Sequence, residues 1–399
     1  MLYRTMPGNG DRLSVLGFGC MRLPMKEGHI DEERATRQLR HAIDRGVNYV
    51  DTAWTYHGGQ SEVFLGRSLS DGYRRKVRIA TKLPAFLVES HSDMDRFLDR
   101  QLERLKTSSI DYYLLHSLNG VLWDNLEDLG VLDFIDRAKQ EGRISNAGFS
   151  FHGALVDFKR MVEAYPWQFC QIQYNYLDEE YQAGTEGLKF ASSRGLGIIV
   201  MEPLRGGNLG LPKAPGPVGE IWERAPVKRT PVEWALRWVW NHPEVTVLLS
   251  GMNEESHIEE NLSIAGEALP ESLSGEELAL VGEAASKYRE LMKIGCTSCG
   301  YCMPCPSGVA IPSCFEIYNK MHLFGNTRGA LMLYAMRHGG VLRKGVTNFA
   351  SQCIECGRCL EKCPQGLPIP ALLKQVAAEL EIPGLEDRVS EMRKALHAE

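Results

Sequence analysis

The 399-residue chain carries 45 Lys and Arg against 51 Asp and Glu, a net charge of -6 with neutral histidines. That balance offers no basic face for nucleic acid, and no apolar run approaches the roughly 20 residues that span a bilayer. With 44% hydrophobic and 24% charged residues, the composition is that of a soluble globular protein long enough for two domains.

Short β-branched runs alternate with amphipathic stretches through residues 1–270. Strands are predicted at Val15–Met21, Val47–Asp51, Val77–Thr81, Tyr112–His116, Ile144–Ser150, Phe169–Tyr174, Gly197–Met201 and Val245–Ser250. Helices are predicted at Asp31–Arg45, Ser61–Leu69, Ser92–Lys106, Val131–Glu141, Gly153–Ala164, Thr185–Arg194, Thr230–Asn241 and His257–Ala268. Asp31, Ser92 and Thr230 stand as caps, and Gly46, Gly142, Gly195 and Asn241 mark helix ends. Eight strands alternating with eight helices over about 250 residues predict an α/β fold, a (β/α)8 TIM barrel. A doubly wound sheet would need a Gly-rich dinucleotide turn, but Gly17-Phe18-Gly19 continues into Cys20-Met21 and not into a helix. The Gly- and Pro-rich stretch Gly206–Arg229 is the least regular. On a barrel it lies at the catalytic rim and can fold over a ligand.

Barrels place chemistry at the C-terminal ends of their strands. Those ends carry Asp51 after the second strand, Lys82 after the third and His116 after the fourth, with Tyr56 in the second loop. Singly, each has an ordinary explanation: a capping Asp, a solvated Lys, a packed His. Together, on successive strands, they make one chemically coherent set.

Past the barrel, Glu271–Ile294 reads as a linker and helix, capped by Ser274, with Leu278, Val281, Ala285 and Tyr288 along one face. That stripe is predicted to pack against the barrel. Eight of the 11 cysteines then fall in two runs. The first is Cys296-x2-Cys299-x2-Cys302-x2-Cys305-Pro306; the second is Cys353-x2-Cys356-x2-Cys359-x3-Cys363-Pro364. Such spacing wraps three thiolates around one 4Fe–4S cluster and sends the Pro-flanked fourth to the other. Two clusters are therefore predicted, one on Cys296, Cys299, Cys302 and Cys363, the other on Cys353, Cys356, Cys359 and Cys305. The first run has two residues, not three, before Cys305, which loosens its assignment to a particular cluster. Zinc ribbons compete, but they usually separate their two Cys-x2-Cys knuckles. Helices at Cys314–Phe324 and Thr327–Arg337 separate the runs. The domain reading is a barrel over 1–270, a linker helix over 271–294, a ferredoxin-like two-cluster domain over 295–375 and a helical tail over 376–399. Cys170 and Cys314 read as buried small residues. Met1–Leu23 lacks a charged-then-apolar leader pattern, so a cytoplasmic location without disulfides is expected.

The segments DTAWTYHGGQSE (51–62), ATK (80–82) and LLH (114–116) resemble the Asp, Tyr, Lys and His tetrad of the aldo/keto reductases. LGFGCMRLP (16–24), PLRGG (203–207) and EN (260–261) are similar to the same superfamily. The whole chain resembles members that carry a C-terminal, ferredoxin-like two-cluster domain. The likeness implies reduction of an aldehyde or ketone, or the reverse, with NAD(P)H. A phenol near its ordinary pKa of ~10 gives up its proton slowly at neutral pH. The Lys82 ammonium would favour the Tyr56 phenolate, and Asp51 would keep that ammonium charged and oriented. His116 would hydrogen-bond the substrate oxygen. Trp54 and Trp123 are candidates for an apolar wall, with core packing the competing explanation.

The resemblance also implies a coenzyme site of Gly19, Cys20, Met21, Asp51, Ser150, Gln173, Met201, Pro203, Leu204, Gly206, Ser250, Gly251, Met252, His257, Glu260 and Asn261. Three departures weaken it. Phe151 stands where Asn usually follows Ser150, with His152 as the nearest replacement. Met201 stands where a Tyr commonly stacks on the nicotinamide. Gly251 and His257 stand where cations often hold the adenosine 2′-phosphate, leaving NADPH against NADH open. A hydride is two electrons, whereas a cluster passes one. The alternatives are therefore a reductase fed by a redox partner such as ferredoxin, or a non-catalytic electron-transfer subunit. No flavin fingerprint is present, though a barrel rim can hold FMN without one. The intact tetrad argues against the non-catalytic alternative.

Overall fold

In the computed structural model, which describes residues 1–341 and 346–396 and no side chains beyond residue 390, eight parallel strands close into a barrel. They are β1 (Leu16–Gly19), β2 (Tyr49–Asp51), β3 (Arg78–Leu83), β4 (Ile110–Leu118), β5 (Ile144–Phe151), β6 (Phe169–Gln173), β7 (Gly197–Met201) and β8 (Val245–Ser250). Each strand pairs with the next, and β8 closes on β1 through Leu248↔Leu16 and Ser250↔Phe18. Buried on both faces, such strands need continuous apolar runs, as Gly197-Ile198-Ile199-Val200-Met201 shows. The antiparallel hairpin Tyr3–Thr5/Arg12–Ser14 precedes the barrel, and its Leu13, with Met6, packs into the barrel interior. There Tyr112 meets Tyr49 at 5.3 Å and Phe169 at 5.1 Å between ring centroids, both edge-on. Each such fully buried ring stabilises the fold by roughly 1.5–3 kcal/mol.

Helices bury one stripe each. Asp31 accepts the Arg34 N–H at 3.2 Å to start Glu32–Asp44, whose Ala35, Leu39, Ala42 and Ile43 are buried at helical spacing. The predicted Ser92 cap is corrected: His91–Leu105 starts from Ser90, whose N–H donates to Asp93 at 2.9 Å. An unpredicted helix, Gly120–Asp128, follows β4, with the Asn119 side chain accepting the Leu122 N–H at 3.0 Å. The Gly206–Arg229 stretch is not wholly irregular either, because it holds the Gly216–Glu223 helix.

The chain divides into two units, Met1–Leu204 with Val232–Leu278, and Arg205–Pro231 with Ala279–Glu399. The long loop after β7 thus groups with the cysteine-rich segment. Ser274 and Glu277 form the expected cap of Gly275–Leu291, Ser274 N–H donating to the Glu277 carboxylate at 2.8 Å. In the second unit, helices Ile311–Phe324, Thr327–His338 and Ile369–Leu380 share a core of Phe315, Tyr318, Tyr334, Leu373 and Val376. Two buried side chains of these helices pin the approaches to the cysteine runs. Asn319 pairs with both backbone groups of Ile294, at 2.9 and 2.7 Å. The Tyr334 hydroxyl accepts the Ala350 N–H at 2.9 Å and donates to Glu381 at 2.8 Å. Leu385–Leu396 ends the described tail, and residues 397–399 of the predicted tail lie outside the described residues.

Candidate active site and cluster sites

Strand periodicity aims the tetrad. Tyr49, Ala80 and Leu114 belong to the cluster that fills the barrel interior. Side chains two residues further along a strand share their face, so Asp51, Lys82 and His116 point inward one layer nearer the C-terminal rim. Lys82 is fully buried, and its ammonium donates to both Asp51 oxygens, at 2.7 and 2.8 Å, and to the Thr52 carbonyl at 2.7 Å. Burial pulls the Lys82 pKa below its ordinary value against the pull of Asp51. Tyr56 begins a short 3-10 turn that carries its ring over the same place. The Lys82 nitrogen stands 5.0 Å from that ring's centroid, and the His116 ring stands 6.1 Å from it, edge-on. Burial, then the Lys82 charge and His152, hold the His116 pKa well below its ordinary value, so the imidazole is neutral at neutral pH. The tetrad is brought together.

Behind it lies a support absent from the sequence reading. The Glu62 carboxylate is fully buried. It accepts from Thr81 Oγ1 at 2.6 Å, Gln101 at 2.7 Å and Arg104 at 3.1 Å. Gln101 also donates to the Lys82 carbonyl at 3.0 Å. Trp54 lies between the Arg104 guanidinium, 3.7 Å from its ring, and Phe97, so packing accounts for it. Trp123 is core as well, buried against Trp167. The apolar group beside the site is instead Phe86, 6.2 Å from His116 and 46% exposed.

The coenzyme candidates mostly follow the strand ends. Gly19 pairs with Asp51, and Cys20 and Met21 enter the 3-10 turn after β1. Burial drives the Cys20 thiol far above its ordinary pKa. Ser150, at the end of β5, accepts the Ser117 N–H at 2.7 Å. Phe151 turns into the core against Phe158, and His152 is engaged by Gln182 at 3.2 Å. Desolvation takes the His152 pKa down to about 4 against that hydrogen bond. Gln173 donates to Asp178 at 2.9 Å. Met201 ends β7, with Pro203 buried and Leu204 half-buried beyond it. Gly206 falls in the second unit, against Thr297. Ser250 accepts from the Asn261 amide at 2.8 Å. Met252 is buried, Glu260 half-buried, and Gly251 and His257 are exposed.

Two side chains were missed. Gln171 shares the inward face of β6 with Gln173, its amide NH2 3.5 Å from the Met201 sulfur and its buried oxygen without a partner. The period-2 pattern could have flagged it. Arg22 lies against Gly251, its Cβ 3.2 Å from where a Gly251 side chain would begin, which places a cation the strand-eight pattern did not count.

The eight cysteines line two neighbouring cavities, with Cys302 on both. Cys305, Cys353, Cys356 and Cys359, joined by Cys302, line one cavity of about 320 Å³. Cys296, Cys299, Cys302 and Cys363 line a second, tighter cleft. Burial and the proximity of Cys299, Cys296 and Cys363 push the Cys302 thiol up to about 12. For Cys305, burial is outweighed by the Ser307 hydroxyl and the Ser307, Val309 and Gly308 N–H groups, which lower its pKa. Among the described residues, no three His, Cys, Asp or Glu converge closely enough to hold a single metal ion.

A closed eight-stranded barrel with Tyr, Lys, His and Asp at its rim, followed by two four-cysteine cradles, defines the class as an oxidoreductase barrel carrying an iron–sulfur module. The profile of the Aldo/keto reductase family matches residues 15–276, and that of the 4Fe-4S dicluster domain matches residues 295–367. The chain belongs to the aldo/keto reductase family and bears a C-terminal 4Fe-4S dicluster domain. It is similar to L-galactose dehydrogenase of Arabidopsis thaliana, 25% identical over 297 residues that span 70% of this chain and 92% of that one. It is also 28% identical, over 53% of its length and 68% of the relative's, to the uncharacterized oxidoreductase YrpG of Bacillus subtilis (strain 168). The solved aldo-keto reductase AKR11C1 from Bacillus halodurans, in its holo form, superposes with a TM-score of 0.60 at 27% identity, covering 71% of this chain and 96% of that one. Among the described residues, no helix is long and apolar enough to cross a membrane.

Proposed function

We propose that the chain interconverts an aldehyde or ketone and its alcohol, with Tyr56 as proton donor and acceptor. The observation that carries the reading is the buried Lys82–Asp51 pair beneath the Tyr56 ring, with a neutral His116 at its edge. NAD(P)H supplies the hydride when bound. His116 hydrogen-bonds the carbonyl oxygen and fixes its direction. Tyr56 passes its proton to that oxygen as negative charge develops there, and the Lys82 charge offsets the phenolate left behind. Phe86 gives the substrate an apolar wall, which favours aromatic or branched carbonyl compounds over small polar ones. Gln171, with its partnerless amide oxygen, and Ser150 would hold the carboxamide of the bound coenzyme. Arg22 supplies one positive charge for the coenzyme phosphates, so discrimination between NADPH and NADH is small.

The two cysteine cradles each hold one 4Fe–4S cluster, and such clusters pass single electrons. A ferredoxin-like redox partner is the second reading, favoured by one observation. Around the second cradle Cys356 is exposed, as are Ile354 at 68% and Leu360 at 44%. The test uses full-length protein purified without oxygen, mixed with benzaldehyde and either NADPH, NADH or reduced ferredoxin. Aldehyde-dependent loss of the nicotinamide absorbance supports the first reading. Turnover with ferredoxin alone replaces it with the second.

A further inference from the structure

Within the second unit, a tight junction joins the residues just after β7 to the first cysteine run. Gly206 has φ 69°, and a Cβ on it would fall onto the Thr297 carbonyl, so only glycine fits there. The Asn208 amide donates to the Arg205 carbonyl at 2.9 Å and to the Cys296 carbonyl at 3.1 Å. One side chain therefore closes its own turn and grips the backbone of a thiolate ligand. The Arg205 guanidinium lies beside Gly295, 3.3 Å from where a side chain there would begin. The second cradle is held differently. Its Cys305 sulfur lies 3.3 Å from the Ser307 hydroxyl, and the Ala350 N–H before Cys353 is held by Tyr334.

We propose that Arg205–Asn208 positions the first cluster and not the second, with Asn208 as the positioning residue. Holding the Cys296 carbonyl fixes the direction of its sulfur. It also keeps the Ser298 N–H, 3.4 Å away, aimed at that sulfur. Partners of this outer kind orient metal ligands and tune cluster potential and retention. The inference rests on the reading that two clusters are bound.

The experiment reconstitutes full-length wild type, Asn208→Ala, Gly206→Ala and Ser307→Ala with iron and sulfide. Iron and labile sulfide per chain are counted, and reductive titrations are followed by electron paramagnetic resonance. Wild type should hold about eight irons. Asn208→Ala should lose about four of them, or keep eight with one midpoint potential moved and the other unchanged. Gly206→Ala should affect the same signal, and Ser307→Ala the other one. Unaltered iron and potentials in Asn208→Ala overturn the proposal, as does equal change in both signals. A wild type that holds only about four irons sinks the two-cluster reading instead.

Discussion

Replacing Asp51 by Asn removes the charge beneath the site and almost nothing else. Lys82 is wholly buried and spends its three donors on the two Asp51 oxygens and the Thr52 carbonyl. Asn retains one acceptor, so the ammonium loses one hydrogen bond and its countercharge. Breaking a buried pair from one side costs about 3–5 kcal/mol. Burial already draws the Lys82 pKa downward, and proton loss caps the penalty, since a lysine kept neutral at pH 7 against ~10.4 unfolded costs about 4.6 kcal/mol. At roughly 2–4 °C per kcal/mol for a domain of this size, the melting temperature should fall by about 6–20 °C at pH 7. The deficit has a pH signature. With Lys82 depressed in the folded state, both proteins lose stability as pH falls from ~10.4 toward the folded pKa, and the variant, lacking the Asp51 charge that raises that pKa, loses more. Its deficit against wild type should therefore narrow at pH 9.5. Circular dichroism melts at both pH values, with steady-state aldehyde reduction alongside, provide the assay. A double replacement, Asp51→Leu with Lys82→Met, should recover most of the stability and none of the activity. An Asp51→Asn protein that melts like wild type at pH 7, or reduces aldehydes at the wild-type rate, refutes the reasoning.

Because burial, the Lys82 charge and His152 keep His116 neutral, the profile of kcat/KM should show no limb near pH 6.5. Below that pH the unfolded chain protonates first, so His116 lowers stability as the solution becomes more acid. An acid limb near pH 6.5 that disappears in His116→Asn would contradict the assignment. Arg22→Ala should raise the KM of NADPH by about fivefold, the equivalent of ~1 kcal/mol, with kcat nearly unchanged and the effect shrinking at high salt. Unchanged coenzyme KM values at low salt would remove Arg22 from the site.

The barrel was legible because its strands are buried on both faces and leave uninterrupted apolar runs; Gly197–Met201 and Val245–Ser250 match the predicted bounds. β2 starts at Tyr49 and not at Val47; the Asn48 backbone N–H is taken by the Ser14 hydroxyl at 3.0 Å and not by a neighbouring strand. The iron–sulfur module was also readable, since its logic lies in covalent spacing. What escaped depends on partners distant in sequence. Gly and Pro between 206 and 229 announce a loop but do not say that Gly206 must clear Thr297. Gln171 and Gln173 share one inward face, Gln173 one layer nearer the rim, but the sequence alone does not say that the Gln173 amide is spent on Asp178. Glu62 read as one polar residue among many, until Thr81, Gln101 and Arg104 closed on it.

Conversion of Tyr56 to Phe, assayed as aldehyde-dependent NAD(P)H oxidation with iron content and melting temperature as controls, probes the proton transfer itself. The variant should fold, bind its metal and lose activity by about 10²–10⁴-fold. Turnover within a few-fold of wild type would mean that the proton comes from somewhere else.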